Sequence, residues 1–241
     1  SYGYTGKILH VNLTTSEIKV EEPEEQFYRT YMGGSAMGMH YVLKETPAGV
    51  EPLSPDNVLA LCTGVVTGTP ISGQSRLSSV AKSPLTGCIG DAQGGGYFPA
   101  EMKFSGFDAV IIKGKSPKPV YLWMHHGEAE LRDAGHLWGM TTGDAEDKLK
   151  EELEDKRIEV LQIGPAGENL VRFAALISMS NRANGRTGMG AVMGSKNLKA
   201  VVVRGKQKPT IANPEKFKEL QKLGKTNLEP TGMDDFGKYG T

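Results

Sequence analysis

Cysteine is scarce: only Cys62 and Cys88 occur in 241 residues, far apart in the chain. Such spacing offers neither a close-set zinc or iron–sulfur site nor a disulfide framework. Both lie in apolar or glycine-rich surroundings, which predicts two buried free thiols. An excess of one charge sign is missing too. Lys plus Arg equals Asp plus Glu at 28 each, so no net field draws in nucleic acid or an anionic membrane, and any anion must be held by a local cluster. Neither a signal-peptide pattern nor a long apolar run occurs. These absences lead us to expect a soluble, cytoplasmic chain with no nucleic-acid or membrane partner.

Familiar catalytic patterns are also lacking. Gly185, Gly188 and Gly190 stand in the wrong order for a dinucleotide fingerprint. Gly94-Gly-Gly96 lacks the third glycine, and no Gly-Lys-Ser/Thr phosphate loop exists. Histidine builds no site: His125 and His126 fall at a hairpin tip, His10 in an edge strand and His136 beside Trp138. Asp91 and Glu168 stand beside glycine turns, where turn hydrogen bonds are the better reading than metal binding or general-base work.

What the chain has in excess is glycine, 31 residues, close to twice the usual share of roughly 7%. The glycines cluster in turns, and two clusters belong to a repeat. The stretch from Gly94 to Lys115 aligns with that from Gly185 to Lys206 at a constant offset, without a gap. Ala100 falls on Ala191, Ala109 on Ala200 and Gly114-Lys115 on Gly205-Lys206; Lys103 falls near Lys196. The period is too long for a solenoid, so a duplicated half-domain is indicated. Two such halves would face each other across one site, suited to a ligand with two similar halves.

Apolar patterning predicts a β-hairpin over 6–12 and 17–20, then helices over 24–32 and 35–44. Ala36, Met39, Val42 and Leu43 are the expected buried face of the second helix. The first half of the repeat is expected to start with a strand at 58–62, followed by a strand at 76–81, a helix at 99–104 and a strand at 108–113. The second half repeats this with strands at 158–163 and 170–177, a helix near 191–195 and a strand at 199–204. A hairpin over 120–132 and a charged helix over 142–155 fill the space between. Asn213-Pro214 caps a further helix over 215–223, and little pattern follows Gly224. The fold class is α+β and sheet-dominated, with two related sheets. Residues 1–208 form the main domain, and 209–241 open a helical one.

Bare glycine backbone lets a ligand approach the main chain. Successive N–H groups in such turns, running into helix N-termini, attract anions. Arg76, Arg182 and Arg186 lie nearby in sequence, and a guanidinium suits a phosphate or the polar edge of a heterocycle. Two matched turns favour a ligand site over tight turns with solvated arginines.

At these residues the chain resembles the N-terminal domain of the aldehyde ferredoxin oxidoreductase family, the tungsten- or molybdenum-bispterin enzymes. The matching segments include Lys82-Ser-Pro-Leu-Thr-Gly87, Gly95-Gly-Tyr-Phe98, Ile163-Gly-Pro-Ala-Gly-Glu-Asn169 and Gly190-Ala-Val-Met-Gly-Ser-Lys-Asn-Leu-Lys199. The likeness runs from residue 3 to about 206. It implies two β-sheets related by a pseudo-two-fold, each cradling one pterin of a tungsten (or molybdenum) bis-pterin cofactor. It further implies that Arg76, Gln93, Gly95, Arg182, Ala183, Gly185 and Arg186 contact that cofactor. Gln93 and Ala183 would offer backbone carbonyls to a magnesium ion bridging the pterin phosphates. Gln93 stands where the family often has Asn; Asn184 and Thr187 stand where smaller residues are common. The resemblance also implies an aldehyde substrate and ferredoxin as electron acceptor, with C-terminal helical domains carrying a [4Fe–4S] cluster in the full-length protein only. Two other readings stay open: an aromatic-ring-reducing subunit of the same superfamily, and a pterin-binding module that catalyses nothing. A homo-oligomer is also left open.

Overall fold

A computed structural model describes residues 2–226 and 237–238. Alternating residues form the opening hairpin, β1 (Ile8–Asn12) and β2 (Glu17–Glu21). Helix α1 (Glu25–Tyr31) stops at Met32, which turns left-handed and returns its N–H to the Tyr28 carbonyl. Helix α2 (Gly34–Glu45) follows. Strands β3 (Leu59–Thr63), β4 (Leu77–Lys82) and β5 (Ile89–Gly94), helix α3 (Phe98–Phe104) and strand β6 (Ala109–Lys113) complete the first half.

The second half repeats this from its first strand. It comprises β7 (Val120–His125), β8 (Glu128–Asp133), a 3-10 turn at Gly135–Leu137, α4 (Thr142–Glu152) and β9 (Glu159–Gln162). After these come α5 (Pro165–Glu168), β10 (Leu176–Ser178), β11 (Arg182–Asn184), α6 (Met189–Ser195) and β12 (Leu198–Arg204). Each half makes a six-stranded sheet, ordered β2-β1-β6-β3-β4-β5 and β8-β7-β12-β9-β10-β11. The orders are the same strand for strand, with β1 parallel to β6 as β7 is to β12. The duplication is therefore larger than the sequence repeat. The hairpin and charged helix expected between the halves are the opening of the second half.

Registers make the equivalence residue-specific. Across the first sheet Ile8, Ala109, Cys62, Ser78 and Gln93 lie in one row. Across the second, Tyr121, Ala200, Gln162, Ile177 and Ala183 do. The rows share the Ala109–Ala200 match read from the sequence.

The sheets pack face to face, with α3 and α6 between them. Their shared core takes Leu61, Leu77 and Val110 from one sheet, Leu161, Leu176 and Val201 from the other, and Phe98, Met102, Met189 and Val192 from the two helices. Outer faces are covered separately: α1 and α2 bury Tyr28, Met37 and Tyr41 against the first sheet, while α4 packs Leu149 on the second. Among the described residues no helix is long and apolar enough to cross a membrane.

Several expectations need correction. Helix α2 buries Met37, Gly38, Tyr41 and Val42, whereas Met39 and Leu43 are exposed. Gly38 sets that face, because a Cβ there would lie 2.7 Å from the Val80 side chain. Strands β5 and β11 have no counterpart among the expected elements; their Gly, Asp, Asn and Ala content carries little β propensity. The strand expected over 170–177 begins only at Leu176. Lys103, which falls near Lys196 in the sequence match, lies inside α3, whereas Lys196 follows α6. Both bind carbonyls of the first half, Gly3 and Gly64 for one, Pro55 and Gly114 for the other, so they are not related by the duplication. Cys62 is buried, its thiol pushed up by desolvation, but Cys88 is exposed. His10 lies on β1, which is flanked by β2 and β6, so its strand is not an edge. After β12 in the chain, Asn213 Oδ1 accepts from Lys216 N at 2.9 Å and caps α7 (Pro214–Thr226). The patternless stretch expected after Gly224 lies mostly outside the described residues.

Candidate functional site at the seam of the sheets

Strands β5 and β11 are the matching outer strands of the two sheets, and they meet. Asn184 reaches across: its buried Nδ2 donates to Ala92 O (2.9 Å), Leu77 O (3.2 Å) and Ser79 Oγ (2.9 Å) of the first half. A Cβ on Gly94 would lie only 2.2 Å from Asn184 Oδ1, so glycine alone permits this approach. Gly94 pairs with Leu77, and Asn184 with Leu176. The sheet registers therefore make Gly94 the counterpart of Asn184, one residue off the gapless match with Gly185. The second turn is one residue longer before its helix.

Beside this contact opens a groove of about 550 Å³, lined by Asp91, Gln93, Ala183, Gly185 and Arg186. Gln93 and Ala183, which share one position in the two sheets, thus come to one place. Three further sequence-derived residues border it through their neighbours. Ser75 Oγ donates to Gly96 O at 2.5 Å, and Ser75 O lies 3.4 Å from where a Cβ on Gly95 would be, which brings Arg76 beside that turn. A Cβ on Gly96 would be 3.1 Å from Arg182 Cγ. The first glycine turn therefore packs against the β10–β11 connection, where Met179 Sδ also accepts from Tyr97 N at 3.1 Å.

Charge at the seam is unspent. Arg132, Arg157 and Arg204 each hold a carboxylate, but among the described residues Arg76, Arg182 and Arg186 are exposed and form no ion pair. Asp91 Oδ1 and Thr187 Oγ1 are buried without a hydrogen-bond partner. Asp91 therefore does not satisfy itself in the turn, contrary to expectation. Sequence reading also missed Ser35 at the start of α2, whose Oγ accepts from Gln93 Nε2 at 3.2 Å and meets Ser78 Oγ at 3.1 Å. Its only signal was the Gly33-Gly34-Ser35 helix start. Glu168, expected as a turn residue, instead forms a buried ion pair with Lys199 and accepts from Gly139 N at 2.8 Å.

Comparison with known proteins identifies the family. The model of the aldehyde ferredoxin oxidoreductase N-terminal domain matches residues 8–205. The chain belongs to this family. It is similar along its whole length to the tungsten-containing aldehyde ferredoxin oxidoreductase of Pyrococcus abyssi, at 48% identity over 242 residues. The enzyme of the same name from Pyrococcus furiosus is 43% identical over 242 residues. In both cases the chain spans 40% of the relative's length. A further relative, at 35% identity, is the WOR-like subunit of an aliphatic sulfonate oxidoreductase from Pyrococcus furiosus. Among solved structures, the active-site complex of benzoyl coenzyme A reductase with 1,5-dienoyl-CoA superposes with a TM-score of 0.89. It is 37% identical and covers 92% of this chain and 34% of its own.

Proposed function

We propose that this domain cradles a tungsten (or molybdenum) bis-pterin cofactor at the sheet seam, each half holding one pterin. The observation that carries the reading is that Gln93 and Ala183 occupy one position in the two sheets and line one groove. The residues present suit a two-armed anion. Three unpaired guanidinium groups can bind phosphate and pterin edges, and the glycine backbones of Gly94, Gly95 and Gly185 leave room for close approach. The Gln93 and Ala183 backbone carbonyls would hold a magnesium ion that accompanies the cofactor; a main-chain oxygen does not depend on Gln replacing Asn.

The longer protein, in this reading, oxidises an aldehyde with water to a carboxylic acid, releasing two protons and passing two electrons to ferredoxin. When bound, the metal centre supplies the redox chemistry. Residues 1–208 orient the cofactor and balance its charge, and transfer no proton. The segment from 209 opens the helical remainder, which carries the [4Fe–4S] cluster and most of the substrate pocket. The names of the two tungsten-containing relatives support the aldehyde reading; that of the benzoyl coenzyme A reductase complex supports a second one, aromatic-ring reduction.

Purified full-length protein distinguishes them. Two pterins per tungsten and dye-linked oxidation of simple aldehydes are expected. Absence of tungsten, molybdenum and pterin would reject the cradle; a loaded protein that reduces an aryl thioester and ignores aldehydes would select the ring-reducing reading.

A further inference from the structure

We infer that Asp91 supplies the one protein carboxylate that holds the divalent cation at the seam, a role that rests on the cofactor reading above. Asp91 and Gln93 stand two apart on β5, so they share a face of the strand, and both line the groove. Asp91 Oδ1 is buried yet has no hydrogen-bond partner. Arg186 lines the same groove, but no ion pair joins it to Asp91. A site holding both charges apart is arranged for a ligand that itself carries both: an anion for the guanidinium and a cation for the carboxylate. Among the described residues no cluster of three or more His, Cys, Asp or Glu is placed to hold a metal alone. The remaining ligands must be carbonyls, waters and the oxygens of the bound phosphates, which is the habit of Mg²⁺. The position that matches Asp91 in the second half, just before β11, is Asn181. The seam thus carries this carboxylate once, as a single shared ion requires.

The test uses full-length enzyme, wild type and Asp91→Asn, dialysed against a series of EDTA concentrations. Magnesium, tungsten and pterin phosphate are counted per chain at each step. The expected result is half-loss of magnesium at roughly 10–100-fold lower chelator activity in Asp91→Asn, with tungsten and pterin still present before dialysis. Asp91→Glu, which keeps the charge, is expected to retain magnesium at least tenfold more strongly than the Asn variant, and it serves if Asp91→Asn does not accumulate: magnesium then lost as readily as from Asp91→Ser counts against the role. Superimposable wild-type and Asn curves overturn the assignment and leave the pterin cradle standing. Wild-type protein without tungsten or pterin overturns the cradle itself.

Discussion

Gly94 and Asn184 hold the same place in the two halves and touch each other across the seam. One has given up its side chain so that the other can pin both edges together. Asn184 Nδ2 serves three acceptors of the first half, and Gly94 leaves the space its Oδ1 occupies.

That contact makes the two positions interdependent. Gly94→Ala forces a methyl against Asn184 and should cost about 1–3 kcal/mol by overpacking. Asn184→Ala strands buried carbonyls and should cost about 2–4 kcal/mol. The double variant should cost less than the sum by about 1 kcal/mol or more, since the clash partner is gone. Denaturant unfolding of the four proteins gives the coupling; strict additivity would mean the contact is not there.

Lys199 and Glu168 form an ion pair with almost no solvent access, at 0% and 4% exposure. Lys199 also donates to Met140 O at 3.1 Å. Lys199→Met leaves a buried carboxylate without its countercharge and should lower stability by about 3–5 kcal/mol. Adding Glu168→Gln should return part of that loss, read as a rise in Tm over the single variant.

Glu159 is pushed up to about 7, chiefly by desolvation and then by the nearby Glu146 carboxylate. A carboxyl with a raised folded pKa keeps its proton in the native state after the unfolded chain has lost it. Native protein then binds more protons than unfolded protein, so stability falls as pH rises from about 4.5 to about 7 and then levels. Glu159→Gln should therefore stabilise by about 1–2 kcal/mol above pH 7, after discounting for partial exposure, and do nothing at pH 4. Parallel stability profiles for the two proteins would refute this.

Much of this architecture was legible because its strongest signals are local. The 8–12 and 17–21 hairpin, the run at 59–63 and the β12 run of valines announce strands, and Asn213-Pro214 announces a helix. The residue-for-residue match was visible only where side chains are constrained alike, from the glycine turn to the last strand, and the order of elements extended it back to the strands at 58–62 and 158–163. The repeat's opening hairpin and helix went unnoticed because residues such as Ile8 and Tyr121 share a place in the sheet without sharing chemistry. Strands β5 and β11 were illegible for a related reason: they are shaped by close approach to each other, and residues chosen for smallness carry no strand pattern. The site residues came from the family resemblance and the glycine-arginine pairing. Asp91 and Ser35 were passed over because turn and helix-start residues look alike whether or not a ligand lies beyond them.

The central claim is that guanidinium groups on both halves grip one two-armed anionic cofactor. Metal and pterin content of full-length Arg76→Ala and Arg186→Ala, beside wild type, tests it most directly. Each lost charged hydrogen bond should weaken binding by about 1.5–3 kcal/mol. Both variants should therefore come out folded but depleted in tungsten and pterin together; wild-type occupancy in either would contradict the account.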